Sequence, residues 1–388
     1  MSPRPTPRPA RARALLIAST LAVLAPRGTA AEGSVAYKYS DYRESGGRVV
    51  VETQTALFEQ TFGTDYRARF TGTVDAIAGA TPTGEPAPAG SDQVRLSRLS
   101  DRRKAWTGDL SRQFSRVNLA LGFGNSRESD YVSNGWSVNA LTDFNGKNTT
   151  LLTGVAGTED DVKVFFQTDR EKKRTNDVIV GVTQLLDPRT SVTFNLSYGC
   201  SSGYLSDPYK LVEKRIEVLP GIFLRQTFGE NRPREREKFI ALAALNRAFP
   251  TLNGALDGSY RYFRDDFGTT AHTLDLAWFQ RLGSKVILRP GVRFYDQTAA
   301  DFYFYRLDGT SVTPVRNPSP AGPYYSSDFR LSAFRSTNTG LKLIWNPTAA
   351  LQFDAALERY DMRGRDGVTP ASAYIRATIL TLGARFAW

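Results

Sequence analysis

The sequence has few of the residues that usually stabilise or activate a secreted enzyme. It contains one cysteine, Cys200, one histidine, His272, and two methionines. A single cysteine excludes an intrachain disulfide and a zinc site built from several cysteines. Any histidine-based mechanism would depend on His272 alone. After residue 25 there is no apolar run of about 18 residues, so a transmembrane helix is excluded there.

The N-terminal segment has the order of a secretory signal peptide. A basic stretch, residues 4–13, precedes an apolar stretch, residues 14–25, and small residues follow at 28–31. The apolar stretch is too short to cross a bilayer. We therefore predict a signal peptide over residues 1–30 and a single mature domain over 31–388. The net charge of +11 falls without this segment, and the remaining mild excess is spread out, so nucleic acid is not an expected partner.

Alternation of apolar and polar residues recurs along most of the chain. Residues 192–198 (VTFNLSY) and 351–357 (LQFDAAL) are examples in which every second residue is apolar. Such segments are typical of strands with one apolar and one polar face. The pattern predicts about sixteen strands, within a range of roughly 14 to 18. They lie near 34–44, 47–60, 65–76, 103–114, 116–126, 131–142, 148–157, 177–186, 191–200, 238–249, 254–264, 270–282, 285–297, 325–345, 349–361 and 372–388.

The links between these strands alternate in length. Links such as 145–147 and 283–284 are short, whereas 77–102, 201–237 and 298–323 are long and rich in proline and glycine. With an even number of strands, the short links share one end and the other links share the opposite end. We therefore predict an all-β fold: a transmembrane, antiparallel, up-and-down β-barrel with short periplasmic turns and long outer loops. Its expected location is the outer membrane of a Gram-negative bacterium.

Three stretches are more particular than a generic barrel sequence. They are DAIAGATPTG (75–84), SSGYLSDPYK (201–210) and ENRPRER (230–236), and the chain ends in GARFAW. With these motifs the chain resembles an uncharacterised family of bacterial outer-membrane β-barrels, the domain of unknown function 3570. The resemblance covers essentially the whole mature chain and departs at Ala78, where the family's motif has serine. It implies an outer-membrane location without an activity. The family's association with thioredoxin-like or flavin-transfer proteins implies a periplasmic redox partner as one alternative.

The motifs supply candidate residues in the outer loops. Gly79 to Gly84 lacks the Walker lysine and a following helix pattern, so we interpret it as a turn-rich loop rather than a phosphate site. The arginines would pair well with lipid A phosphates or an anionic solute, but intervening glutamates favour a solvated loop. The candidates are Asp75, Gly79, Thr81, Pro82, Asp207, Pro208, Tyr209, Arg232, Pro233 and Arg236.

Charged residues on the polar parity are candidates for the lining of the barrel lumen. They would form either a polar channel with weak anion preference or a network of ion pairs that fills the interior, and both signs are present. At sixteen strands the lumen is wide enough to hold water. The candidates are Arg67, Arg69, Asp109, Asp275, Arg289, Arg293, Arg330, Asp354, Glu358 and Arg385.

The expected function is a porin-like passive pore for small hydrophilic solutes. The first alternative is a non-conducting structural or docking barrel for an envelope partner. The second is an outer-membrane hydrolase using His272, although we expect no enzyme and no catalytic, cofactor-binding or metal residue. Outer-membrane lipids and lipopolysaccharide are expected partners. The barrel-assembly machinery is another, and it would read Phe386 and Trp388 on the last strand as its recognition signal.

Overall fold

The computed structural model describes residues 32–88, 90–164, 167–315 and 319–388. The predicted signal peptide, residues 1–30, lies outside these ranges. The described residues form eighteen β-strands connected by links and a few single-turn 3₁₀ helices. No helix in this part of the chain is long and apolar enough to cross a membrane.

Sixteen of the strands close into a single antiparallel barrel, which confirms the predicted fold class. Strand β1 pairs with β2 on one side and with the last strand, β18, on the other. The remaining two, β10 and β11, form a separate hairpin between β9 and β12. The strands are β1 Gly33–Glu44, β2 Val50–Phe62, β3 Tyr66–Pro82, β4 Leu96–Gln113, β5 Val117–Arg127, β6 Tyr131–Phe144, β7 Thr149–Lys163, β8 Arg170–Asp187, β9 Thr190–Gly203, β10 Leu211–Leu219, β11 Ile222–Gly229, β12 Glu235–Phe249, β13 Gly254–Asp265, β14 Thr270–Leu282, β15 Val286–Gln297, β16 Phe334–Trp345, β17 Leu351–Gly364 and β18 Arg376–Ala387.

The barrel has two different ends. Gly33 and Trp388 meet at one end, where each backbone N–H donates to the other's carbonyl at 3.2 and 3.1 Å. We call this end, with its short links, the turn end. The opposite end carries the links 83–95, 204–234 and 298–333, and we call it the loop end. The predicted alternation of short and long links therefore corresponds to the two ends of the barrel.

Alternate residues of each strand face opposite sides of the wall. On β9, Phe194, Leu196 and Tyr198 are exposed large side chains. Tyr198 lies beside Val178 of β8 and Phe239 of β12, so the apolar positions form one continuous belt around the barrel. Because successive strand residues point to opposite faces, the polar residues between them line the inner face.

Several strands extend further at the loop end than the sequence pattern predicts. Strand β3 continues to Pro82 and β4 begins at Leu96, with these two residues paired. The link predicted as 77–102 is therefore reduced to residues 83–95. Pairing with a neighbouring strand outweighs the turn preference of the small residues in the GATPTG stretch, since each paired residue satisfies its backbone groups.

The predicted strand 325–345 is too long at its N-terminal end. Strand β16 begins only at Phe334, and residues 325–333 belong to the long link. Within that link Phe329–Leu331 form a 3₁₀ turn, and the Asp328 side chain accepts from the backbone N–H of Arg330. A capped turn cannot continue a strand ladder, which explains the later start.

Candidate functional site

The inner face of the barrel carries almost all of the charges predicted to line the lumen. Strand register places Arg67, Arg69, Asp109, Asp275, Arg289, Arg293, Asp354, Glu358 and Arg385 on the polar parity that faces inward. Arg330 is the exception and is a correction to the prediction. It lies in the 3₁₀ turn before β16 rather than on a strand, so the alternation argument did not apply to it.

The inner charges pair with neighbours along the wall. Asp275 lies opposite Arg293 on the next strand, and Arg293 Nε is 2.8 Å from Asp275 Oδ1. Lys342 Nζ is 3.1 Å from Asp354 Oδ2 in the same way. Opposite charges on adjacent strands stabilise a sheet modestly. Because each of these pairs joins adjacent strands, the paired side chains do not extend across the lumen.

Inner cations also contact uncharged groups, and several of them stay accessible to water. The Arg289 guanidinium is 5.1 Å from the ring centre of Phe279, and Arg385 Nη2 donates to Ser34 Oγ at 3.3 Å. The side chains of Arg67 and Arg293 remain 55% and 58% exposed although both face inward. Inward side chains that are this accessible require space for water beside them.

The middle of the wall formed by β5 to β7 is different, because its inner residues there are small or uncharged, among them Gly122, Ser137, Asn139 and Gly154. A Cβ atom added to Gly154 would lie 2.2 Å from Asn139 Oδ1 of the adjacent strand. The asparagine amide therefore occupies the space over the glycine, and no charged side chain lies at this pair. We call the middle of β5 to β7 the neutral wall. Its contrast with the charged part of the wall was not predicted from the sequence, although glycine at alternate, inward positions of these strands could have indicated it.

At the loop end, links from distant strands interlock, and we call the described residues of the four links 83–95, 204–234, 298–333 and 365–375 together the cap. Leu211 N–H donates to the carbonyl of Thr83 at 3.0 Å. Ala87 N–H donates to the Tyr305 hydroxyl at 3.2 Å. Asn231 and Tyr325 exchange two backbone hydrogen bonds of 3.0 and 2.8 Å.

These contacts require the chain to cross the barrel mouth. Strands β5 to β8 stand between β4 and β9, the strands from which the links that meet at Thr83 and Leu211 leave the wall. With strands about 4.8 Å apart and tilted by about 40°, a barrel of this size is roughly 30 Å across. Links that start so far apart touch only if they extend over the opening, so the cap covers the mouth at the loop end.

The cap has an apolar core of its own. Val94, Phe329 and Tyr374 from three different links pack with Met362 and Phe334 at the ends of barrel strands. A second buried group combines residues of the long link with the β13–β14 link and contains Phe267, Ala300, Phe302 and Leu331. Burial of apolar side chains is the main stabilising term in folding, so the cap is a folded layer rather than a set of free loops.

A buried charge cluster joins the cap links, and four of its members come from the sequence motifs. Arg232 Nη2 is 2.9 Å from Asp328 Oδ2, and Arg232 Nε is 2.7 Å from Glu230 Oε1. Arg330 bridges Asp328 and Asp207, with Arg330 Nη2 2.7 Å from Asp207 Oδ2. The cluster consists of Asp207, Lys210, Glu230, Arg232, Asp328 and Arg330.

Each charge in the cluster depends on its partners. Glu230 and Asp328 are only 2% and 1% exposed. Burial raises the pKa of Glu230, with partial compensation by Arg232, and burial lowers the pKa of Lys210. Burial acts against ionised Asp328 too, but Arg330, Lys210 and Arg232 outweigh it and hold its pKa well below the usual range. Removing one partner would leave an uncompensated buried charge, which is strongly destabilising.

The motif residues divide between the cap and the barrel. Five of them lie in a loop-end link, as predicted: Asp207, Pro208, Tyr209, Arg232 and Pro233. The residues expected in loops but placed on strands by continued pairing are Asp75, Gly79, Thr81 and Pro82 on β3, and Arg236 on β12.

Two of these corrected positions make contacts that explain their chemistry. Asp75 faces inward and accepts from Arg103 Nε at 2.5 Å and from Thr53 Oγ1 at 2.7 Å. Arg236 pairs with Asp265 of the neighbouring strand. Arg232 is buried against two carboxylates, so it is not part of the solvated loop that the sequence favoured, and it has no free face for a lipid phosphate either.

His272 lies on the outer face near the loop end. The Tyr260 hydroxyl is 2.6 Å from His272 Nδ1, and Asp296 occupies the paired position on β15. Among the described residues, no serine, threonine or cysteine side chain hydrogen-bonds to this histidine. A cluster of three carboxylates, Asp101, Glu128 and Asp130, also lies at the loop end, and hydroxyl groups of Ser129 and Tyr209 donate into it.

The terminal strand ends in the outer apolar belt. Phe386 and Trp388 are exposed, their ring centres are 5.9 Å apart, and Trp388 also lies 6.3 Å from Phe58 of β2. This arrangement forms part of an aromatic girdle at the turn end, of the kind found at membrane interfaces. Recognition of these residues by an assembly machinery stays a prediction.

Comparison with known proteins gives a family match. A family model described as "Protein of unknown function (DUF3570)" matches residues 12–171 and 163–375. No curated protein matches the chain.

Several solved structures are similar in fold. A bacterial polysaccharide outer membrane secretin is similar over 92% of this chain and 98% of its own, at 7% identity and a TM-score of 0.49. The ferric enterobactin receptor of Pseudomonas aeruginosa is similar over 92% of this chain, at 14% identity and a TM-score of 0.44. This chain covers 60% of that receptor's length. The strand pairing described above, rather than these likenesses, defines the fold.

Proposed function

The chain belongs to the DUF3570 family, as its motifs predicted, and since that description assigns no activity, we propose a function from the chain's own residues. We propose a passive polar channel that spans an outer membrane and lets small hydrophilic solutes diffuse through its lumen. In this arrangement the turn end faces the periplasm and the cap faces outward. The outer apolar belt contacts lipid, and the inner face contacts water.

The observation that carries this proposal is the accessibility of the inner charges. Arg67 and Arg293 face inward on different parts of the wall, yet more than half of each side chain is open. Bulky side chains do not fill the lumen at these positions. A sixteen-stranded barrel is in the size range in which porins keep an aqueous passage.

The wall chemistry favours weak ion selectivity. In the Asp275–Arg293 and Asp354–Lys342 pairs the two charges offset each other, whereas Arg289 and Arg385 form no ion pair among the described residues. We therefore expect a slight preference for anions that depends on salt concentration, because exposed charges are screened. The neutral wall of β5 to β7 gives an uncharged solute a path with few obstacles.

The cap limits flow at the outer mouth. It is held by the buried charge cluster, so we expect wild-type protein to conduct in small steps. Loosening the cluster would widen the opening. A double variant, Arg232→Gln with Asp328→Asn, removes both charges of one ion pair together, so neither of the two is left buried and unpaired by loss of the other.

Conductance in planar bilayers tests the proposal. We expect small steps from the wild type and at least about twofold larger steps from the double variant, because the cap links that extend over the mouth would then restrict it less. The matched control is Asp361→Asn with Arg363→Gln, an exposed ion pair on the outer face of β17. Arg289→Glu with Arg293→Glu should shift the ion preference toward cations. Silence of both the wild type and the cap variant at all potentials would contradict the channel.

A docking barrel is the second candidate, and the hairpin β10–β11 favours it. Its base is held in the cap, but its tip stands free and carries exposed apolar side chains, including Leu219 and Leu224. A two-stranded hairpin alone is marginally stable in water, so a partner would stabilise this tip. Photo-crosslinking from residue 224 in cells should give a defined protein adduct. The same label at residue 252, an exposed leucine at the turn end, is the control.

A further inference from the structure

A group of cations lies on the outer face of the barrel near the loop end, separate from the lumen and the cap cluster. Arg102 and Lys104 occupy outward positions on β4, and Arg127 occupies the outward position at the end of β5. All three side chains are exposed. We call these three residues the outer basic patch.

The register of the two strands brings like charges together. Lys104 of β4 is paired directly with Arg127 of β5. Side chains in directly paired positions are about 5 Å apart at Cβ, and like charges in that arrangement are destabilising. The flanking outward residues are Ala76 and Val74 on β3 and Val132 on β6, which are all uncharged. No ion pair found among the described residues involves a member of the patch.

Some outward cations elsewhere at the same end are neutralised by the chain itself. On β7 and β8, Arg174 is paired in register with Glu159, and Lys172 is paired with Asp161. Both form ion pairs. The outer basic patch is therefore not a general feature of the loop end, because the equivalent positions on another part of the wall receive a carboxylate partner.

The patch lies directly above the apolar belt. The next outward residue on β4 after Lys104 is Trp106, about 7 Å along the strand, and Phe123 of β5 lies one position further. Both rings are exposed. Interfacial aromatic residues mark the boundary between acyl chains and head groups. The patch is thus at head-group height, with apolar rings below it.

We propose that the outer basic patch binds the phosphate groups of an anionic lipid in the surrounding leaflet. The guanidinium groups of Arg102 and Arg127 pair with phosphate oxygens, and Lys104, directly beside Arg127, adds a third positive charge. The acyl chains of the same lipid lie against Trp106 and Phe123. The bound phosphate removes the repulsion between Lys104 and Arg127. The proposal requires membrane insertion but does not depend on conduction.

Lipid binding to the purified barrel in detergent tests the proposal. Native mass spectrometry would compare a phosphorylated lipid A with the same lipid after removal of its phosphates. The patch variant is Arg102→Gln with Lys104→Gln and Arg127→Gln. The matched control is Arg170→Gln with Lys172→Gln and Arg174→Gln, which removes the same number of outward cations from β8. A gel shift between folded and heat-unfolded protein verifies that each variant is folded.

We expect the wild type and the control to retain the phosphorylated lipid and the patch variant to bind it at least about tenfold more weakly, because each cation near a lipid surface adds a favourable term. The dephosphorylated lipid should bind the wild type as weakly as the phosphorylated lipid binds the patch variant. Equal losses in both variants, or no loss in the patch variant, would overturn the proposal. Full competition by inorganic phosphate at the lipid's own concentration would assign a free-phosphate site and overturn the lipid assignment.

Discussion

At the scale of single residues, the chain separates charges that line the wall from charges that lock the cap. Wall charges such as Arg293 remain accessible and have modest energetic value, since exposed ion pairs contribute little. Cluster charges such as Asp328 are buried and satisfied by several partners. The alternation of residues along strands identified the first group. It misassigned Arg330, because a residue in a capped turn has no strand parity.

Substitution of Asp328 by asparagine should loosen the cap. The change leaves Arg232 and Arg330 without their shared carboxylate in a buried site, which costs about 3–5 kcal/mol. Hydrogen exchange of the link 298–333 measures the loss as faster exchange, with the barrel strands as an internal reference. Asp361→Asn, at an exposed ion pair, is the control and should leave the exchange unchanged.

The same substitution should also remove a pH dependence. The pKa of Asp328 is lowered in the folded protein, so its contribution is present above the ordinary value of 3.8 and is lost as pH falls below it. The wild-type cap should therefore loosen in acid relative to the Asp328→Asn variant, which is already loose at neutral pH. Glu230 is present in both proteins, so their difference isolates Asp328. If the two proteins differed in cap exchange by the same amount at neutral pH and below pH 3.8, the assigned role of Asp328 would be contradicted.

At the scale of elements, the strand positions were predictable and their outer ends were not. Alternation located the barrel strands because one face of each must be apolar along its whole membrane-contacting length. It stopped at residue 76 on β3, where small residues replace large ones, yet pairing continues to Pro82. The continuation depends on a neighbouring strand, and a local pattern carries no information about that neighbour.

Gly79 shows how the end of β3 is joined to the cap. Its φ is +129°, and a Cβ added there would lie 1.9 Å from the carbonyl oxygen of Arg48. The Arg48 side chain in turn donates to the carbonyls of Ser372 and Tyr374 at 3.0 and 3.2 Å. Only glycine allows this approach, so Gly79 joins β3 to the link 45–49 between β1 and β2, and through Arg48 to the cap.

Gly79→Ala should therefore destabilise the barrel at its loop end. Backbone strain alone costs about 1–3 kcal/mol, and displacement of Arg48 would weaken its hydrogen bonds to the cap. Gly72→Ala on the same strand is the control, because its added Cβ would meet only the Phe70 ring at an ordinary 3.9 Å. The temperature of the folded-to-unfolded gel shift should fall for Gly79→Ala alone, and equal values for both variants would contradict this account.

At the scale of the whole molecule, closure was predictable and the cap was not. An even number of amphipathic strands with alternating link lengths predicts a closed barrel, because closure leaves no strand edge unpaired. The cap depends on contacts between distant links, such as the hydrogen bond from Lys210 to the carbonyl of Pro82, 128 residues away. The proline and glycine content of these segments predicts that they are loops. The sequence of one link, however, does not indicate which other link it contacts.

The central claim is that the polar parity faces a water-filled lumen and the apolar parity faces lipid. Thiol labelling of adjacent residues on β6 tests it most directly, in a Cys200→Ser background that removes the single exposed native thiol. Ser137 faces inward on the neutral wall, and Val138 faces outward in the apolar belt. Both changes to cysteine are small and should leave the fold intact.

In outer-membrane preparations, a small, water-soluble maleimide that enters from the turn end should label Ser137→Cys rapidly and Val138→Cys slowly. Denatured protein, in which both thiols react equally, gives the reference rate. Rapid labelling of Val138→Cys with protection of Ser137→Cys would contradict the account, because it would place the apolar face in water and the polar face in a dry interior.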